Sequence, residues 1–149
     1  MKNKLFAILF WILSFTWGIV MTSIGLIVAL IVLLIGGTPH KNGCTIIIEI
    51  GGNWGGLELG PLALCGRYSK SSPTWFEHTR RHEFGHSIQH MFMGPFFIFL
   101  VAIPSAIRYW YRTVRYENKG LTPKTEYDDI WFEGQATKLG TYFIDKFLK

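Results

Sequence analysis

Cysteine is scarce in this 149-residue sequence. Cys44 and Cys65 are the only two, and neither belongs to a Cys-x-x-Cys pair. This excludes a cysteine-type zinc site and leaves room for one disulfide, in a segment facing an oxidising compartment. Charge is sparse as well: charged residues make up 17% of the chain, and none falls between Leu5 and Ile35. Lys and Arg outnumber Asp and Glu by 15 to 10. No recognition module accompanies that excess, so nucleic acid is not an expected partner. Lys2, Lys4, Arg108, Arg112 and Arg115 lie beside apolar runs, where attraction to anionic lipid accounts for them. Internal repeats and low-complexity tracts are absent. The length suffices for one domain, 1–149, and not for two.

What the chain does have is apolar length. Hydrophobic residues make up 49% of it, and mean hydropathy is +0.23. These values predict an α+β membrane protein. Residues 5–35 are too long for the apolar core of a signal peptide. As one helix they would reach about 46 Å, against a hydrocarbon core of about 30 Å. They are expected as a transmembrane anchor, either one tilted helix or a helical hairpin broken near Trp17-Gly18 or Thr22-Ser23. Residues 37–43 read as a polar connector. Thr45–Ile50 and Leu57–Leu64 read as a β-hairpin or small sheet within 45–65, with Pro61 pointing to an edge or irregular strand. A Ser/Pro loop at 69–74 leads into a helix over 74–93, which Gly94-Pro95 ends. Residues 94–110 form a second membrane segment. Its apolar part reaches about 21 Å as a helix and is interrupted by Pro104, so it is expected to be re-entrant or short. A final helix covers 127–148.

The informative string is His82-Glu83-Phe84-Gly85-His86, a match to H-E-x-x-H inside the helix over 74–93. Residues i and i+4 share a helix face, so two imidazoles converge on one ion. Glu83, offset by one position, reaches a water molecule rather than the ion and acts as its base. Random placement gives such a match in roughly one comparable chain in a hundred, so its helical context matters. His78 and His90 extend a four-residue stripe through His82 and His86. His82 and His90 stand about 12 Å apart on a straight helix, too far to share an ion, and the later Gly and His of the metzincin pattern are missing. His78 and His90 are therefore read as supporting or surface residues.

A zinc peptidase needs a third protein ligand and an open fourth position. Glu133 is the candidate, with Asp129 in reserve. Glu133, Ala136 and Gly140 fall at i, i+3 and i+7, a face of small residues that lets two helices approach closely. Gly85 offers a matching small surface on the first helix.

HEFGHSIQ (82–89), GP (94–95), PSAIRYWYR (104–112) and WFEGQATKLG (131–140) resemble a group of short bacterial membrane proteins with an N-terminal apolar anchor and a Gly/Trp-rich strand region. Likeness covers most of the chain from Trp17 onward. His82, Glu83, His86 and a glutamate on a later helix are similar to the gluzincin arrangement of zinc peptidases. The resemblance implies a minimal membrane metallopeptidase with Zn²⁺ on His82, His86 and Glu133. One departure stands out. Gluzincins place an acid four residues after the third ligand, and here that position is Thr137, so the supporting hydrogen bond has to come from elsewhere.

The function expected is hydrolysis of peptide bonds in a peptide or membrane-protein substrate by water activated on zinc, with Glu83 as catalytic base. Tyr127, Tyr142 and Arg108 are candidates for the oxyanion donor. Strand 45–50 or 57–64 offers an edge for an extended substrate backbone. Lys2, Lys4 and the cations at 108, 112, 115, 119 and 124 put both ends on the cytoplasmic side, with the site facing the cytoplasm if residues 5–35 fold back as a hairpin; the resemblance implies that the membrane is the bacterial cytoplasmic one. The competing reading is a non-enzymatic membrane protein that binds or passes metal along the histidine stripe.

Overall fold

The computed structural model describes residues 2–52, 54–66 and 73–147. Two apolar helices open the chain, α1 (Lys2–Phe15) and α2 (Ile19–Leu34), followed by β1 (Thr38–Asn42), β2 (Thr45–Ile50), β3 (Gly56–Leu59) and β4 (Leu62–Gly66). Helix α3 (Pro73–Met93) carries the H-E-x-x-H string. After it come a π-helical turn (Ile98–Ala102), α4 (Ile103–Arg115), a 3-10 turn (Tyr127–Asp129) and α5 (Trp131–Phe147).

The architecture is α+β, but the expected membrane-spanning one is corrected. No single described helix is long and apolar enough to cross a membrane; α1 and α2 pass for length only when taken together, and they are bent by 93° at the break between them. The bend is held by polar groups. Thr22 Oγ1 donates to the Ser14 carbonyl at 2.7 Å, and Thr16 Oγ1 to that of Ile12 at 2.7 Å. His90 Nε2 donates to the Gly18 carbonyl at 3.2 Å, reaching across from α3. The break falls at Trp17-Gly18, one of the two places expected for it, but the two rods diverge by 93° and neither spans a membrane alone. The expected second membrane segment, 94–110, is likewise no spanning helix. Phe97 and Val101 are buried in the protein core, and Ser105 bonds to α5.

The sheet order is β1-β2-β4-β3. Its central pair, β2 and β4, is parallel and covered on both faces, as parallel strands require. Ile48 and Leu64 face α2, whose buried stripe is Met21, Gly25, Ala29 and Val32. Ile47, Ala63 and Cys65 face the other way, towards Phe76 of α3. Two readings change here. Residues 37–43, expected as a connector, contain edge strand β1, paired antiparallel to β2. The run 57–64 is not one strand but the hairpin β3–β4, turning at Gly60 (φ 79°) and Pro61. Of the expected loop at 69–74, residues up to 72 lie outside the described part, as does Leu148 beyond α5.

Helices α3 and α5 pack closest of all. A Cβ on Gly85 would lie 1.8 Å from the Ala136 carbonyl oxygen, and one on Gly140 1.7 Å from that of Arg81. Only glycine permits this contact, because the clash would be with backbone. Phe10, Phe84, Ile88, Met91 and Ile144 seal the apolar side of that seam.

Candidate metal centre

Residues 82–90 of α3 are buried without interruption, although six of the nine are polar or charged. Buried polar groups need partners, and most of those partners come from α5. His82 Nδ1 pairs with the Thr137 hydroxyl at 2.8 Å. His86 Nδ1 pairs with Gln89 Oε1 at 2.8 Å. The Gln89 amide nitrogen donates to the Phe132 carbonyl and to Gln135 Oε1, both at 2.9 Å. Its oxygen is then the acceptor, which fixes the His86 proton on Nδ1 and the lone pair on Nε2.

Three electron-rich atoms thereby meet. His82 Nε2 lies 3.0 Å and His86 Nε2 3.1 Å from Glu133 Oε2, and the two nitrogens are 3.1 Å apart. Ligands of a tetrahedral zinc at about 2.0–2.1 Å stand roughly 3.3 Å from one another. The triangle therefore fits such an ion, with its fourth position on the open side. Among the described residues this is the one group of His, Cys, Asp or Glu side chains able to share an ion. Glu133 is fully buried and its second oxygen accepts from Ser105 Oγ at 2.5 Å. Burial alone would raise the Glu133 pKa, but the imidazoles of His82 and His86 and the Ser105 hydroxyl beside it hold it well below the usual carboxylate range. For His82, burial opposes charge, yet the Glu133 bond and the Glu83 carboxylate outweigh it and raise the pKa. The cluster calls for a cation, proton or metal.

Sequence reasoning placed His82, His86 and Glu133 as ligands, and the fold brings them together. Asp129 is elsewhere: exposed, it accepts the Glu126 backbone N–H in a capping box. Thr137, read as a departure that sends the supporting hydrogen bond elsewhere, is itself the partner of the His82 ring. Gln89 and Ser105 were not anticipated, since neither carries a local signal and both act across elements. The histidine stripe dissolves. His78 is exposed and stacks on His82 with ring centroids 6.2 Å apart. His90 is fully buried beside Gly18, 3.9 Å from Glu58 Oε1, and burial lowers its pKa to about 4 against the pull of the Gly18 carbonyl.

Glu83 leaves the ligand triangle and lies against β3. A Cβ on Gly56 would fall 2.2 Å from its Oε1, so glycine there makes the space it fills. Burial pushes its pKa up, against His82 and His86, which lower it. Glu83, His82 and His86 line a cleft of about 840 Å³. Trp54, Trp75, Tyr109 and Trp110 also line it. Of the oxyanion candidates only Tyr127 lines it. Burial together with the Glu133 carboxylate raises its pKa. Arg108 instead donates to the Glu126 and Tyr127 carbonyls, and Tyr142 is exposed, with Lys146 at its hydroxyl. Both cysteines are free thiols, and burial pushes each up to about 12.

Comparison with known protein families, curated proteins and solved structures finds no match for the chain.

Proposed function

We propose that this protein is a zinc-dependent peptidase that hydrolyses peptide bonds in the cleft between β3, α3 and α4. One observation carries the reading. Two imidazole nitrogens and a carboxylate oxygen converge within 3.1 Å of one another, with a separate buried carboxylate, Glu83, beside them on the cleft floor. A metal-storage site has no use for that second acid, and the loss of His90 from the stripe removes the path along which metal would pass.

His82, His86 and Glu133 would hold the ion. Zinc so held supplies a Lewis acid that makes water nucleophilic near neutral pH and polarises a carbonyl. Glu83 takes a proton from the attacking water and returns it to the departing amine. Its raised pKa keeps it poised for both directions of transfer. Tyr127 donates its hydroxyl proton in a hydrogen bond to the developing oxyanion. The edge of β3, beside Glu83, offers backbone groups to an extended substrate.

The test is turnover by the purified full chain on a quenched fluorescent peptide library, wild type against Glu83→Gln. Wild type cleaves, and the variant loses activity by a factor of 10² or more, on the order expected for a general base, with its zinc content intact. Cleavage by Glu83→Gln at the wild-type rate would sink the peptidase reading.

A further inference from the structure

Helix α4 is inside out. A helix packed on a protein normally turns its apolar stripe inward and its polar residues outward. In α4, Ile103, Ile107, Trp110 and Val114 recur at i, i+4, i+7 and i+11 and so share one face. They expose 45%, 64%, 66% and 57% of their surface. The opposite face is polar and points into the protein. Ser105 bonds Glu133, Arg108 reaches the Glu126 and Tyr127 carbonyls, and Arg112 that of Thr125. No residue of α4 is buried.

We propose that the outward face of α4 is an interfacial anchor lying in the surface of a phospholipid bilayer with anionic headgroups. Three observations select this occupant. The groove along that face is rimmed by Arg115 and Lys119, the charges that headgroup phosphates match. Tyr109, Trp110 and Tyr111 expose rings with an apolar body and a polar tip, the type enriched at headgroup level. Finally, the apolar surface does not stop at α4. Phe96, Phe99 and Leu100 continue it, the Trp17 ring lies 6.2 Å from that of Phe96, and beyond it Leu5, Ile8 and Ile12 of α1 and Ile27, Leu30 and Leu34 of α2 are exposed. Two helices diverging by 93° present no flat patch for a second copy to cover, whereas fluid hydrocarbon conforms to both. The anchor lies along the bilayer surface and requires no crossing. Because Tyr109 and Trp110 also wall the cleft, the site opens at that surface. On the peptidase reading above, the substrate is then a peptide segment held at the lipid interface.

The experiment uses the full chain reconstituted in vesicles of three parts phosphatidylcholine to one part phosphatidylglycerol. A nitroxide label is placed in turn at Ile107→Cys, Val114→Cys and the exposed Lys138→Cys. The native thiols, Cys44 half-buried and Cys65 buried, are first replaced by Ala so that only the introduced cysteine takes the label. Electron paramagnetic resonance saturation then compares relaxation by oxygen, which concentrates in lipid, with relaxation by a water-soluble nickel chelate. Labels at 107 and 114 favour oxygen severalfold, and the label at 138 favours nickel. Labels at 107 and 114 that behave like the one at 138 would overturn the proposal. So would spin–spin broadening at 107 that disappears on dilution with unlabelled chain, because a second copy would then cover the face. Neither result touches the peptidase assay, so the two claims fail separately.

Discussion

Thr137 shows how one side chain substitutes for another at the candidate metal centre. Its hydroxyl takes the His82 Nδ1 proton at 2.8 Å and leaves Nε2 free to bind an ion. Such supporting groups are worth roughly 10- to 100-fold in metal affinity. Thr137→Val should weaken zinc binding by at least the lower figure, measured by competition with a chromophoric chelator, and Thr137→Asp should recover it. An unchanged affinity in Thr137→Val would show that the hydroxyl has no such role. A second residue-scale prediction concerns Glu58 and His90. Burial lowers the His90 pKa from 6.5 to about 4. The unfolded chain therefore takes up this proton first as the pH falls, so stability is full above 6.5 and is lost between 6.5 and 4. The shift corresponds to about 3 kcal/mol at the acid end. Glu58 has the opposite sign. Burial raises its pKa well above 4.5, so its contribution is full below 4.5 and is lost as the pH rises through its folded value. The two slopes oppose each other in the folded protein. Denaturant titrations of Glu58→Gln in mild detergent should reveal the His90 slope, and adding His90→Gln should remove it. Equal slopes in the single and double variants would contradict this assignment.

At the scale of elements, the α3–α5 seam sets the metal geometry. Gly85 and Gly140 let backbone touch backbone, which places Glu133 of α5 against two histidines of α3. Gly85→Ala must push the helices apart, and no side-chain change at 136 relieves a collision with its carbonyl. We expect a loss of about 1–3 kcal/mol in stability, typical of overpacking, together with weaker zinc binding, read from the melting temperature and chelator competition. A variant that melts and binds zinc like wild type would show that the seam is looser than described. The small-residue spacing Glu133-x-x-Ala136-x-x-x-Gly140 made this contact legible in the sequence, as the i, i+4 histidines made the shared face legible. Other elements were not. Strand β1 reads as a connector because Thr38–Lys41 are exposed and polar and pair along only one edge. Gly60-Pro61 turns a run that composition alone presents as continuous. The supporting bonds from Ser105 and Gln89 join elements distant in sequence, and no local pattern encodes them. In the apolar run 5–35 the break at Trp17-Gly18 was legible, but hydropathy records how apolar a segment is and not the 93° angle that the Thr22 hydroxyl and the Gly18 carbonyl help to hold.

Across the whole molecule, the parts divide by task. The sheet, braced by α2, holds β3 and Glu58 against α3; α5 brings the third ligand; α4 closes the cleft and turns its apolar face outward. The hydrolytic account depends on a single ion joining α3 to α5 at the one group of three converging ligand atoms among the described residues. Zinc K-edge X-ray absorption on the purified full chain, with metal content determined on the same sample, tests this most directly. The account predicts one zinc per chain, nitrogen and oxygen neighbours at about 2.0–2.2 Å, the outer-shell signature of two imidazoles, and the same spectrum in Glu83→Gln. Zinc absent from the wild type, or a sulfur shell at about 2.3 Å that would assign the metal to a cysteine, would contradict it.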